Sequence, residues 1–240
     1  METFPTFVLN SRVQVRQPVE GGLRVTMDTI FAAAACPAKP GETIADFGAG
    51  TGAAGLCVAS RVGDVHVSFV EIQEDFAQLA LDNAALNNVS AAKFAEDIRV
   101  HKGQYDHIVC NPPYLDEGTH YTSPNAARQK ALGQVEGDAR LADWVEAAAR
   151  CLKDRGSFSL IHRADALGDI LTALATYKFG AIEVWPLQPY AGQDMHRVVV
   201  RARLRRKTPM AIHPAITLHD GHEKYSEAAK EIMRDGKNLT

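Results

Sequence analysis

Apolar and polar positions along the chain change period from one stretch to the next, and that change predicts the order of elements. Val13 and Val15 alternate with Gln14 and Arg16, the period of two expected for a short amphipathic strand. Thr26-Met27-Asp28 precedes the apolar run Ile30 to Cys36, which Pro37 stops, so a short capped helix is expected there. From Gly41 onward strands and helices alternate. Strands are expected at Thr43–Phe47, Val65–Glu71, Ala92–Ala95, Asp106–Cys110, Ser157–His162, Ile182–Trp185 and Val198–Leu204. Helices fall between them at Ala53–Arg61 and Glu74–Asn87. Two more helix faces are lined by Leu141, Trp144, Val145, Ala148, Cys151 and Leu152, and by Leu167, Ile170, Leu171 and Leu174.

Strands alternating with helices of this length imply βαβ units and a parallel sheet. Right-handed crossovers place helices on both of its faces. The fold class is therefore α/β with a mostly parallel sheet, and ligands of such sheets bind beyond the carboxyl ends of the strands. The division expected is a strand-and-helix extension over 1–40, a main domain over 41–207, and a further extension of that domain over 208–240. Leu115–Arg140 is the longest stretch without clear periodicity, and it follows directly on a strand end.

Composition adds limits rather than direction. Of 240 residues, 46% are hydrophobic and 23% charged, the balance of a globular domain. No apolar run approaches the ~20 residues that cross a bilayer, and Met1–Asn10 lacks a signal-type pattern, so a cytoplasmic protein without membrane contact is expected. Cys36, Cys57, Cys110 and Cys151 form no C-x-x-C pair and read as buried apolar residues, with no metal site expected. The net charge of −3 confines nucleic-acid contact to local basic patches.

Candidate chemistry gathers at the ends of the predicted strands. Asp46-Phe-Gly48-Ala-Gly50-Thr-Gly52 joins a strand to a helix, and its glycines allow a tight turn and close approach to a ligand. Its spacing differs from G-x-G-x-x-G, and the leading acid suits a cationic amine better than a pyrophosphate. Glu71, 25 residues later at a strand end, can accept both hydroxyls of a ribose. Asp97, after the third strand of the series, could accept the amino group of a cofactor's adenine, with Ile98 packing on the ring; a solvated turn acid is the alternative.

Asn111-Pro112-Pro113-Tyr114 follows the strand Asp106–Cys110. The prolines stiffen the backbone and remove two donors, which leaves the Asn111 side-chain oxygen and the Pro112 carbonyl as a rigid pair of acceptors. Tyr114 supplies a flat face beside them. A planar amino group is a poor nucleophile because its lone pair is delocalised into the ring. Two acceptors on its hydrogens orient it and favour pyramidalisation, a gain of positioning and matched dipoles.

Taken together, Asp46–Gly52, Glu71, Asp97 and Asn111–Tyr114 resemble the Rossmann-like class I methyltransferases that act on amino groups, and the resemblance covers nearly the whole chain. Gln17-Pro18-x-Glu20-Gly21 through Asp28, the helix after it, and Tyr225-Ser226-Glu227-Ala228 look like the ends of the bacterial valine-tRNA adenine-N6 methyltransferases. The resemblance implies a seven-stranded sheet, S-adenosylmethionine as cofactor, and a tRNA substrate methylated at the adenine beside the anticodon, position 37. Asn111, Pro112 and Tyr114 would be catalytic. Asp28, Asp46, Gly48, Gly50, Gly52, Glu71, Asp97, Ile98 and Asn111 would line the cofactor. For Asp28 the implied contact is the cofactor's amino-acid end; a helix N-cap is the equal alternative.

Arg197, Arg201, Arg203, Arg205, Arg206 and Lys207 fall within eleven residues without an acid among them. In a strand over Val198–Leu204, Arg197, Arg201, Arg203 and Arg205 would share one face, a candidate phosphate-contacting stripe or a charge-protected edge. Arg201, Arg203, Arg205 and Arg206, with Arg128 and Lys130 after Tyr114, are the RNA-binding candidates. Competing functions are a glutamine-amide protein methyltransferase, another RNA or DNA amino-group methyltransferase, and a non-catalytic nucleotide-binding module.

Overall fold

The computed structural model describes residues 1–20, 24–114, 139–221 and 224–240. The chain opens with a hairpin of β1 (Thr3–Val8) and β2 (Val13–Pro18), antiparallel from Thr3↔Pro18 to Val8↔Val13. Only its second strand was expected from the pattern. The exposed edge of β2 is capped by two asparagines one helical turn apart on α3 (Glu74–Leu86 with its C-cap Asn87). Asn83 accepts from the Arg16 N–H and donates to its carbonyl, at 2.8 and 3.1 Å, and Asn87 does the same for Gln14 at 2.9 and 2.7 Å. Two side-chain amides thus stand in for a neighbouring strand, which explains why fully buried Asn83 lies on the helix's apolar face.

The central sheet contains the seven expected strands: β3 (Thr43–Phe47), β4 (His66–Val70), β5 (Ser90–Phe94), β6 (Tyr105–Cys110), β7 (Leu152–Arg163), β8 (Phe179–Gln188) and β9 (Arg197–Leu204). Their spatial order is β8-β9-β7-β6-β3-β4-β5. All neighbours are parallel except β9, which is antiparallel to both β7 and β8. Two-residue strands β10 (Ala211–Ile212) and β11 (Ile216–Thr217) extend the β8 edge.

Helices cover both faces. On one lie α1 (Met27–Ala35), α2 (Ala53–Val62), α3 and α6 (Glu227–Met233), the last capped by Ser226 Oγ accepting from the Ala229 N–H. On the other lie α4 (Leu141–Cys151) and α5 (Leu167–Thr176). All four cysteines are buried and unpaired, as their scatter suggested. No described helix is long and apolar enough to cross a membrane.

One expectation about β9 needs correction. Val198, Val200, Ala202 and Leu204 do face the core under α4 and α5, but part of the other face is closed to solvent. It lies beneath α1, with Val199 in that second core. Arg201 is consequently a packed residue. Its guanidinium pairs with Glu183 at 2.7 Å, donates to the Ala35 carbonyl at 3.1 Å and lies 4.9 Å from the Trp185 ring centre. The four arginines do not make one exposed stripe.

Candidate active site at the carboxyl ends of the strands

Register brings the scattered motifs to one rim. Phe94 pairs with Val70, Val70 with Phe47, Phe47 with Cys110, and Cys110 with Leu160. The residues that follow these rungs are the candidates: Asp97 after β5, Glu71 after β4, the glycine loop after β3, and Asn111 after β6. Because β9 runs the opposite way, its first residue, Arg197, reaches the same rim, opposite Arg163 of β7.

The glycine loop is held down by backbone bonds from Gly48 and Ala49 to the Val70 carbonyl, at 2.8 and 3.2 Å. Gly48, with φ of 65°, leaves no space for a side chain, since a Cβ there would stand 2.7 Å from Trp144. At Gly50, with φ of 53°, a Cβ would meet nothing within 4 Å, so the loop's crest faces open space. The Gly50 N–H donates to Glu71 Oε2 at 2.9 Å, and the other Glu71 oxygen accepts from the Gln73 N–H at 3.0 Å. Glu71 is thus fixed beside the crest.

Asp46 lies below the loop, 2% exposed, and accepts from the Gly55 N–H in the first turn of α2 at 2.8 Å. Burial pushes its carboxyl up to about 8, against the Gly55 hydrogen bond, and Glu71 nearby adds to the rise. At the far corner Ile98 is buried and its carbonyl accepts from Arg150 at 2.7 Å. Asp97 is held by Arg99, whose backbone N–H donates at 2.8 Å and whose guanidinium forms an ion pair with it. Burial works to raise the Asp97 carboxyl, but the Arg99 hydrogen bonds prevail and hold it below its ordinary value. Behind this corner His101 stands between Glu96, at 2.6 Å, and the Tyr105 hydroxyl, at 2.9 Å.

The Asn-Pro-Pro-Tyr turn meets the start of α1. The Tyr114 hydroxyl lies 2.8 Å from Asp28 Oδ2 and 2.9 Å from Asn111 Oδ1, and Asn111 Nδ2 lies 3.4 Å from Thr29 Oγ1. Arg197 Nε donates to the same Asp28 oxygen at 3.1 Å. Burial first, then the Asp28 charge, push the Tyr114 phenol above its ordinary value, so it stays protonated and a donor. The ring is less open than the sequence suggested. The Arg197 guanidinium covers one face, 4.8 Å from the centroid, and His162 meets it edge-on at 4.9 Å. His162 is buried, its pKa lowered chiefly by that burial, and its Nδ1 has no hydrogen-bond partner among the described residues.

The rim therefore brings together Asp28, Asp46, Gly48, Gly50, Gly52, Glu71, Asp97, Ile98, Asn111, Pro112 and Tyr114. It does not include Arg203, Arg205 or Arg206. β9 is antiparallel, so eight residues at ~3.3 Å each put Arg205 roughly 25 Å from Arg197, at the opposite end of the sheet. Arg128 and Lys130 lie outside the described residues. Sequence reasoning missed Thr29 and His162, and took Arg197 only as part of the stripe. A basic residue opening a strand was the sole available signal, and its acid partner lies 169 positions away.

Known proteins similar to this chain bear on its family and fold. Residues 24–166 match the family described as methyltransferase small domain. A Shewanella baltica protein named tRNA1(Val) (adenine(37)-N6)-methyltransferase is 26% identical over 226 residues, covering 89% of this chain and 92% of its own. A crystal structure from Agrobacterium tumefaciens, described as a predicted O-methyltransferase, superposes with a TM-score of 0.70 at 22% identity, over 89% of this chain and 98% of that one. A SAM-dependent O-methyltransferase from Thermotoga maritima gives a TM-score of 0.55 at 19% identity, over 79% and 69%. At such identities the two structures speak for the fold alone.

Proposed function

The chain belongs to the methyltransferase small domain family and has the class I fold of S-adenosylmethionine-dependent enzymes, and we propose that it methylates the exocyclic N6 of an unpaired adenine in tRNA, the one beside the anticodon of valine tRNA. The observation that carries this reading is the register of β4, β3 and β6. It sets Glu71, the crest at Gly50 and Asn111 side by side at one end of the sheet.

The residues present suit the cofactor. The crest at Gly50 opens onto free space, with the Glu71 carboxyl bonded to it and the Asp46 carboxyl buried below the loop. Such a set favours a ligand with ribose hydroxyls and cationic groups. A cation close to Asp46 would draw its carboxyl back to the ionised form. Glu71 would hold the ribose, and Ile98 would pack on the adenine. The Asp97 carboxylate is occupied by Arg99, so it would take an amino group only by sharing. When bound, S-adenosylmethionine supplies an electrophilic methyl: the target nitrogen bonds to it as the sulfur–carbon bond breaks, the electron pair stays on sulfur, and the surplus N6 proton leaves to water.

This chain's part is positioning. Asn111 Oδ1 and the Pro112 carbonyl would accept the two amine hydrogens and turn the nitrogen lone pair toward the crest. An adenine can reach them only after leaving its stack, and unpaired loop bases are the cheapest to extrude. The Shewanella relative's named substrate supports tRNA over other carriers of an amino nitrogen. The test is transfer of a tritiated methyl by purified protein to total tRNA, DNA and a glutamine-containing release factor in parallel. Label in N6-methyladenosine of tRNA is expected. Label in the protein, or in DNA alone, would contradict the proposal.

A further inference from the structure

The Tyr114 hydroxyl stands between two acceptors, Asp28 Oδ2 at 2.8 Å and Asn111 Oδ1 at 2.9 Å. A phenol has one proton, so it satisfies one of them at a time. Asp28 does not depend on that proton, because Arg197 Nε reaches the same oxygen at 3.1 Å. The Arg197 side chain is itself tied down, through Nη1 to the His196 carbonyl at 3.0 Å and over the Tyr114 ring. Asn111 is less secured. Among the described residues its only other side-chain hydrogen bond is the long one from Nδ2 to Thr29, so there the hydroxyl largely sets where its oxygen points.

We infer that the Tyr114 hydroxyl is a rotor between Asn111 and Asp28, and that Asp28 is a positioning residue for the amine site rather than a contact for the cofactor. This rests on the amino-group transfer proposed above. Before the target base enters, the proton secures Asn111 Oδ1 and keeps the carboxamide's acceptor end in place. When the amine arrives, the proton turns to Asp28, and the Asn111 oxygen gives its full acceptor strength to the amine hydrogen. One hydrogen bond to Oδ1 replaces another and the phenol keeps a partner, so no buried group goes unpaired during the exchange. Asp28 is 8% exposed and already faces Arg197, which makes its Oδ2 a standing acceptor for the displaced proton.

Without Asp28 the phenol proton has, among the described acceptors, only Asn111 Oδ1; it holds one of that oxygen's two lone pairs and weakens its pull on the amine hydrogen. Asp28→Ala should therefore lower kcat on a valine tRNA transcript by about tenfold or more, with S-adenosylmethionine affinity by calorimetry within about twofold of wild type. Removing the competing proton as well should help: the Asp28→Ala/Tyr114→Phe double variant should turn over about threefold or more faster than Asp28→Ala, the reverse of additive damage. Should Asp28→Ala not fold, as judged by its melting temperature, Asp28→Leu lacks an acceptor at similar size and carries the same comparison. A double variant no faster than the single one overturns the rotor. Affinity for S-adenosylmethionine lost tenfold with kcat kept would assign Asp28 to the cofactor instead. Wild type that methylates no tRNA adenine would remove the proposed function, and the inference with it, before any variant is compared.

Discussion

Both ends of the central sheet carry a chain of buried polar residues, and only one suits catalysis. At the amino ends of β3, β6 and β7, His107 lies 2.6 Å from Ser157 Oγ and 2.7 Å from Glu42 Oε2. An acid, a histidine and a serine in contact have the composition of a nucleophilic site. Yet Ser157 is wholly buried, and burial lowers the His107 pKa so that the ring stays neutral. A neutral ring can donate to Glu42 and accept from Ser157, so each partner is matched. Beside it Asp106 Oδ2 accepts from the Thr43 N–H, the Thr43 hydroxyl and Lys153. Among the described residues, each of these named atoms already has its partner. At the carboxyl ends one phenol proton faces two acceptors, His162 Nδ1 has no partner among the described residues, and the Gly50 crest faces open space. Spare bonding capacity and room, more than residue type, separate a site from a structural cluster.

The largest effect should follow from the most direct strike on the carboxyl rim. Asn111→Ala should lose far more than tenfold in turnover at saturating substrate while cofactor affinity stays nearly intact, because positioning acts on the transition state. Retention of more than about a tenth of the rate would remove the amine clamp. Next, Glu71→Ala should weaken S-adenosylmethionine binding by roughly 1–3 kcal/mol, since polar groups lose their partner. Equal calorimetric affinity would take Glu71 out of the site.

At the amino end, Ser157→Ala should cost about 1–3 kcal/mol of stability by stranding a buried imidazole nitrogen, with kcat per folded molecule unchanged. Loss of turnover at unchanged melting temperature would erase the distinction between the two ends. A subtler effect concerns pH. Asp46 has its carboxyl raised from 3.8 to about 8. A group whose folded pKa exceeds its unfolded value stabilises the fold while protonated, and that contribution is lost as pH rises through the folded value. Wild type should therefore lose stability relative to Asp46→Asn between about pH 4 and about pH 8. Parallel melting curves for the two proteins across that range would show Asp46 to be unperturbed. Smallest of all, Arg205→Ala with Arg206→Ala should leave kcat and cofactor affinity unchanged, because both sit at the end of β9 remote from Asn111. A fall in kcat would place the reacting base elsewhere.

Much of this was legible in the sequence because it is local. Period and punctuation located the seven strands of the main sheet to within a few residues, and β3 at Thr43–Phe47 matches its expected bounds. The glycine loop, Glu71 and Asn111–Tyr114 could be read because each is a short motif at a strand end. What could not be read depends on pairing between distant residues. The direction of β9 decides that Arg197 joins the site while Arg205 does not, and no local pattern encodes it. The cover that α1 places over Arg201, the Asn83 and Asn87 clasp on β2, and the meeting of Asp28 with Tyr114 across 86 positions are of the same kind. β1 escaped notice because its half-buried residues, Thr3, Phe4, Thr6 and Val8, mix polar and apolar types while Phe7 is exposed, which gives a weak alternation.

The central claim is that the carboxyl rim carries out N6 methylation of an unpaired tRNA adenine through Asn111. It is tested most directly by nucleoside mass spectrometry of valine tRNA from a strain lacking this chain, complemented with wild type or with Asn111→Ala. Wild type should restore N6-methyladenosine beside the anticodon, and Asn111→Ala, expressed to the same level, should leave that adenine unmodified. Methylation that persists in the deletion strain, or that Asn111→Ala restores as well as wild type, would contradict the account.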